Sequence, residues 1–378
     1  EQTTESPEET TTEGGFTAGQ ATEISTEETP TSAPSLPGQN LCGDCAHSKL
    51  WMDVIFLLDV SAGMGQSGMN EVLTYLNDPL HFVTLPDQAS DDYYMRVGLI
   101  YYAANVTVVY NLNMTSADIG TIHPTNVDTY QLNLDVAVQV ALNMFETNAL
   151  SIRQHSRQVI VLAASSYSSS NNKGINQFKS GGGTVVVYEY VQDGQTKLAA
   201  LEDLATSPSF YHSNLDEDDF DMLEKYCDIN CFCLSDSTTF RNSDGIANAQ
   251  RGCYATQYKK LLDYPGARYS CRMQGSFIPN VHDAEKQLFL TQMMSLFGLP
   301  SSYWVGYTYN GTNWAHNDKV VDDFAPWAPG EPSRNETNSC AYSRTTNGRD
   351  SYWYAAECMI SEYYVCELLP CSTHRYCY

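Results

Sequence analysis

Met52-Asp53-Val54-Ile55-Phe56-Leu57-Leu58-Asp59 runs into the turn Val60-Ser61-Ala62-Gly63-Met64-Gly65-Gln66-Ser67-Gly68, and this stretch decides the fold of the first half of the chain. A short apolar run closed by an acid is the pattern of a strand buried on both faces of a sheet. Runs of the same kind recur at Val97 to Tyr102, Val106 to Leu112, Val159 to Ala164 and Val185 to Tyr190. Helical periodicity lies between them, clearest from Leu132 to Phe145, with apolar residues at 134, 137, 138, 141, 142 and 145. Strands alternating with helices predict an α/β doubly wound sheet, mainly parallel and covered on both sides. Ligands of such sheets bind at the carboxyl ends of strands, which directs attention to the turn after Asp59.

Two motifs compete for that turn. Gly63, Gly65 and Gly68 satisfy the G-x-G-x-x-G fingerprint of dinucleotide-binding loops. That fingerprint needs its first glycine at the end of the strand, whereas Gly63 falls four residues after Asp59, so no nucleotide site is expected. Asp59-Val60-Ser61-Ala62-Gly63 instead resembles the D-x-S-x-S start of a von Willebrand factor type A domain, a resemblance spanning residues 42–231. That family implies one divalent cation held by an Asp and two hydroxyls on a first loop, a Thr on a second and an Asp on a third. Asp59 and Ser61 match. Gly63 stands at the second hydroxyl, Gln131 or Leu132 stands where the Thr would fall, with Thr129 near but off register, and the third loop reads Ala163-Ala164-Ser165-Ser166. With three of five ligands absent, Asp59 and Ser61 are expected to be vestigial, hydrogen-bonding the loop with no calcium or magnesium held.

Composition bounds the rest. The 378 residues carry 45 acids against 20 bases, a net charge of −25, which repels nucleic acid and anionic membranes. No apolar stretch approaches the roughly 18 residues of a membrane span, so no membrane insertion is expected. Residues 1–41 form a Thr/Glu/Ser/Pro-rich stalk: the first 40 hold eight Glu, ten Thr, four Ser and four Pro, and no Lys, Arg or Asp. Such a segment is expected to be disordered, either a plain solvated linker or an O-glycosylated one. Asp216-Glu217-Asp218-Asp219-Phe220-Asp221 is read as an acidic start to a helix carrying Phe220, Leu223 and Tyr226, not as a calcium loop. Sequons at Asn105, Asn113, Asn310 and Asn335 are expected glycosylation sites of a secreted chain. The start at Glu1, without Met, fits a processed or trimmed chain.

After Cys233 the strand–helix alternation gives way to a second unit, α+β and disulfide-rich, at residues 232–367. Helices are expected from Tyr264 to Met273 and from Asp283 to Phe297, followed by short aromatic strands. Trp304-Val305-Gly306-Tyr307, Trp314 and Trp327-Ala328-Pro329-Gly330-Glu331-Pro332 resemble the signature strands and loop of a C-type lectin-like domain. The resemblance implies the pairs Cys271–Cys366 and Cys340–Cys358, the pair Cys233–Cys253 of the long form, and a cis peptide before Pro332. In sugar-binding members, calcium is held by an E-P-N motif and by a W-N-D before the third cysteine. Here the motifs read Glu331-Pro332-Ser333 and Trp353-Tyr354-Ala355, so Glu331 alone remains as a clear ligand and calcium-dependent sugar binding is not expected. Asp318, Asp322 and Asp323 are read as solvated loop acids. Tyr303, Tyr307, Tyr309, Tyr342, Tyr352, Tyr354, Tyr363 and Tyr364 are read mostly as core, with some free to stack on sugars or anchor an interface.

The 12 cysteines suggest oxidised pairs outside the cytosol. Cys42, Cys45, Cys227 and Cys231 would join the two ends of the first unit, and Cys371 with Cys377 would close a tail at 368–378, in a connectivity the sequence leaves open. The histidines are scattered, and Gly65-Gln66-Ser67-Gly68 is not a nucleophile elbow, so no catalytic residue is expected. The arrangement resembles the secreted lectin-like proteins abundant in nematodes. It implies an extracellular recognition protein binding a protein partner through its surfaces, with glycan binding, independent of calcium, as the alternative.

Overall fold

The computed structural model describes residues 40–150, 153, 155–169, 172–217, 220–256, 260–296, 302–316, 319–320, 324–333, 338–345 and 350–377. Residues 1–39, Asp218, Asp219, Phe297, Asp318, Asp322, Asp323 and Asn335 lie outside them.

The first domain is a six-stranded, mostly parallel sheet with helices on both faces. In chain order its elements are β1 (Met52–Asp59), α1 (Gly65–Leu80), β2 (Met95–Tyr102), β3 (Val106–Tyr110), α2 (Leu134–Thr147), β4 (Arg157–Ala164), α3 (Lys173–Ser180), β5 (Thr184–Glu189), α4 (Ala199–Glu202), β6 (Tyr211–Ser213) and α5 (Met222–Ile229). The strand order is β3-β2-β1-β4-β5-β6, with β1 parallel to both β2 and β4 at its centre. Successive side chains of β1 alternate between two cores, as a strand's two-residue period requires. Val54, Phe56 and Leu58 pack with Met69, Val72 and Leu76 of α1 and Tyr226 of α5, while Ile55 and Leu57 pack with Ala137, Val138 and Ala141 of α2. All eight residues of β1 are buried.

Three local expectations shift. Val106 to Leu112 reads as another doubly buried strand, yet β3 is an antiparallel edge strand whose Val108 and Val109 are 43% and 38% exposed. Only Ala103, Ala104 and Asn105 separate β2 from β3, too few for the dozen or more residues that a parallel crossover needs. Helix α2 begins at Leu134, because Asn133 is held outside it by its N–H donating to the Ala103 carbonyl at 2.9 Å. In the acidic block, Asp221 is the helix cap, accepting from the Leu223 N–H at 2.8 Å. Asp216 instead closes the turn after β6, accepting from the N–H and hydroxyl of Ser213 at 2.8 and 3.0 Å and pairing with Lys197. Gly68 is required by packing: a Cβ there would lie 2.6 Å from the Tyr190 ring.

The second domain is an α+β, disulfide-rich unit. Its elements are β7 (Thr238–Thr239), β8 (Cys253–Thr256), α6 (Tyr264–Arg272), α7 (Ala284–Leu296), β9 (Ser302–Tyr309), β10 (Trp314–His316), β11 (Lys319–Val320), β12 (Asn338–Thr345), β13 (Ser351–Glu357) and β14 (Val365–Leu368). One sheet runs β11-β10-β9-β12-β13 and a smaller one β14-β8-β7. Trp304 and Trp353 are completely buried between sheet and helices. Asp263 caps α6, accepting from the Gly266 N–H at 2.7 Å.

Six disulfides fasten these parts: Cys42–Cys231, Cys45–Cys227, Cys233–Cys253, Cys271–Cys366, Cys340–Cys358 and Cys371–Cys377. The first two close loops of 189 and 182 residues around the α/β domain. The C-terminal tail folds back on that domain's entry segment and on the chain leaving it: the Ala46 N–H donates to Thr373 Oγ1, Trp51 packs on Tyr376, and Phe232 and Cys371 exchange backbone hydrogen bonds. Among the described residues, no helix is long and apolar enough to cross a membrane.

Candidate recognition sites

The pairing of β1 with β4 sets the geometry at the carboxyl end of the first sheet. Leu58 lies opposite Ala163, so the loops that follow begin side by side. Asp59 is completely buried and its carboxylate is turned into this junction. Oδ1 accepts from the Ser61 N–H at 2.8 Å, and Oδ2 accepts from the Ser165 N–H at 3.1 Å and the Ser165 hydroxyl at 2.7 Å. The Ser61 hydroxyl is buried with no hydrogen-bond partner among the described residues. A Cβ at Gly63 would sit 3.0 Å from Ser165 Oγ, 3.4 Å from Ser61 Oγ and 3.7 Å from Ser166 Oγ. Position 63 therefore faces the cluster of hydroxyls but contributes no oxygen from a side chain.

The second loop meets the first upstream of Gln131 and Leu132. Asn126 Nδ2 donates to the Ser61 carbonyl at 2.6 Å, the Val127 N–H to the Val60 carbonyl, and the Ala62 N–H to the Thr129 carbonyl, both at 2.8 Å. The Thr129 hydroxyl accepts from the Gln131 N–H at 3.1 Å, Gln131 is exposed, and Leu132 is buried in the core beside α2. Around this junction Val127, Tyr130 and Val136 stand 46%, 81% and 50% exposed. The donor set is thus one carboxylate, already taken by three N–H and O–H groups, and a few serine hydroxyls.

In the second domain the Glu331–Pro332 peptide is cis. Glu331 Oε2 accepts from the Ser333 N–H at 2.6 Å and from the Ala355 N–H at 3.1 Å, which ties the loop to β13. Tyr354 stacks on its cross-strand partner Tyr342, with ring centroids 5.5 Å apart and planes at 20°. Of the tyrosines singled out from sequence, Tyr303, Tyr307 and Tyr364 are buried, Tyr342, Tyr354 and Tyr363 are half-buried, and Tyr309 and Tyr352 are exposed.

Spacing along the chain gave no sign of a polar network inside this domain. Lys286 and Glu367, 3% and 1% exposed, form an ion pair of 2.6 Å, and the Tyr254 hydroxyl donates to the same carboxylate at 3.1 Å. Burial pulls the imidazole of His316 down to about 4 and that of His282 to about 3, with the nearby Lys286 ammonium adding to both effects. The partners come from α7, β8, β10 and β14, so only the fold brings them together. The sequon residues Asn105, Asn113 and Asn310 are exposed.

Against models of known families, residues 53–226 match the von Willebrand factor type A domain and residues 260–368 the lectin C-type domain. The chain is 24% identical over 381 residues to C-type lectin domain-containing protein 160 of Caenorhabditis elegans, a match that covers 92% of this chain and 58% of that protein. The chain thus spans a little over half the length of that curated relative. Among solved structures, a calcium-free form of a calcium-dependent type II antifreeze protein matches at 22% identity and a TM-score of 0.30, covering 36% of this chain and 98% of that one. The carbohydrate-recognition domain of mouse scavenger receptor C-type lectin matches at 18% identity and the same TM-score of 0.30, covering 39% of this chain and 99% of that one.

Proposed function

We propose that this chain, a von Willebrand factor type A domain followed by a C-type lectin domain, is an extracellular recognition or adhesion protein that binds a protein partner through its surfaces, without a metal ion. Both domains are binding modules, not catalytic ones, and six disulfides in a C-type lectin context accord with an extracellular setting. The observation that carries the reading is the Asp59 carboxylate, which accepts from Ser61 and Ser165 in the place where the family's cation needs a ring of hard oxygen ligands. One carboxylate with serine hydroxyls does not fit such an ion. The exposed Val127 and Tyr130 beside it offer the apolar and aromatic surface that a protein partner would cover. Likewise Glu331, spent on the Ser333 and Ala355 backbone, is a poor fit for calcium. In the same reading the chain is secreted and glycosylated at Asn105, Asn113, Asn310 and Asn335.

A second reading rests on the stacked Tyr342 and Tyr354 next to the Glu331 loop, which supply flat amphipathic faces for a sugar ring without calcium. An array of neutral glycans, probed in calcium and again in chelator, tests both. The first reading expects no glycan signal in either condition, together with recovery of a discrete protein from extracellular material. Signal unchanged by chelator moves the function to the tyrosine pair, and signal abolished by chelator overturns the metal-free account.

A further inference from the structure

At the end of the first sheet opposite Asp59, where β1, β2 and β4 begin, a cleft of about 880 Å³ opens between the two domains. Its first-domain wall carries Arg96, Arg153 and Arg157 against a single acid, Asp53, an excess of two positive charges in a chain whose net charge is −25. The lectin-side wall, including Phe232, Ser235 and Thr239, adds no charge of its own among the described residues. Asp53 is shared: it accepts from Arg96 Nε and Nη2 at 2.8 and 2.5 Å and from Arg153 Nη2 at 2.9 Å. Arg157 is left without an ion pair among the described residues. Its Nη2 donates to the Gly182 carbonyl at 2.8 Å, its guanidinium lies 4.8 Å over the Phe232 ring, and its Nε is buried without a partner among the described residues. Desolvation lowers the pKa of Arg157, but a guanidinium stays charged, so it keeps an uncompensated positive charge.

We propose that this interdomain cleft is an anion-binding site that takes an oxyanion, sulfate or carboxylate, presented by a narrow ligand such as an acidic oligosaccharide, with Arg157 as its principal charge. The volume falls within the roughly 300–1,000 Å³ of small-ligand sites. Guanidinium forks match oxyanions in shape as well as charge. The site stands apart from Asp59 and Glu331 and holds whether or not those positions bind anything.

Calorimetric titration of the full chain tests it with four probes: a sulfated uronate-containing disaccharide, its unsulfated counterpart, inorganic sulfate, and a neutral N-acetylated disaccharide. Saturable binding of the sulfated disaccharide at low ionic strength, weakening with added salt and absent for the neutral probe, is the expected result. Binding of the sulfated form alone assigns the site to sulfate, with inorganic sulfate competing, and equal binding of both acidic forms assigns it to the carboxylate. Arg157→Gln is expected to lower affinity about tenfold or more. Ser235→Glu, an exposed position on the opposite wall, is expected to lower it similarly with an unchanged melting temperature, and it carries the test should Arg157→Gln fail to fold. No heat with any anionic probe, equal binding of the neutral one, or wild-type affinity in Ser235→Glu would overturn the proposal. So would capture of a poly-glutamate peptide in preference to every saccharide.

Discussion

Ser165 donates both its N–H and its hydroxyl to one carboxylate oxygen of Asp59, 106 residues earlier in the chain. The central pairing of β1 and β4 delivers the two residues to one point, and the contact gives a buried acid what a cation would otherwise supply. A serine at the head of the third loop is therefore part of the structure of the junction. It compensates the charge of Asp59 with hydrogen bonds.

Ser165→Ala removes the shorter of those bonds and leaves the Asp59 charge less well solvated. Hydrogen bonds to charged groups contribute about 1.5–3 kcal/mol, so a loss of about 2 kcal/mol is expected in denaturant unfolding. A loss below about 0.5 kcal/mol, the scale of ordinary surface changes, would show that the contact does not hold the junction.

Glu331→Gln keeps an acceptor oxygen for the Ser333 and Ala355 N–H groups. Stability is expected to fall by about 1 kcal/mol or less, and any partner binding to be unchanged. Selective loss of calcium-dependent glycan binding in this variant would make Glu331 a ligand and remove its purely structural role.

The buried pair of Lys286 and Glu367 should respond asymmetrically. Lys286→Met strands the Glu367 carboxylate and is expected to cost about 3–5 kcal/mol, while adding Glu367→Gln to it restores most of the loss. Equal stability of the single and double variants would contradict the pairing.

His316 and His282 set a pH dependence. Their folded-state pKa values, about 4 and about 3, lie below the unfolded value near 6.5. The unfolded chain therefore binds more protons, and stability that is full above about pH 6.5 is lost as pH falls toward 4. For His316, at about 1.4 kcal/mol per pKa unit, the loss is on the order of 3 kcal/mol. Denaturation across this window, compared with His316→Gln, checks it. The variant should show a shallower slope, and identical slopes would place the effect elsewhere.

Legibility from sequence followed the range over which each signal acts. β1 was readable to the residue because eight successive positions obey one local rule, and Trp327 to Pro332 marked the second domain because the motif is contiguous in the chain. The α2 boundary and the antiparallel turn to β3 were not, since Asn133 is held by Ala103 and the β2–β3 connection is a matter of chain length. At the first loop junction, sequence pointed to Asp59, Ser61 and Gly63, which the structure brings together. Sequence could not show that Ser165 satisfies the carboxylate or that Asn126 fastens the loop, because those contacts cross between strands. The three arginines of the interdomain cleft left no local trace, coming from β2, β4 and the segment before β4.

The central claim, recognition without a metal ion, is tested most directly by calorimetric titration of the full chain with magnesium and with calcium. The account predicts no saturable heat for either ion up to millimolar concentration. Saturable binding of either one at micromolar concentration would contradict it.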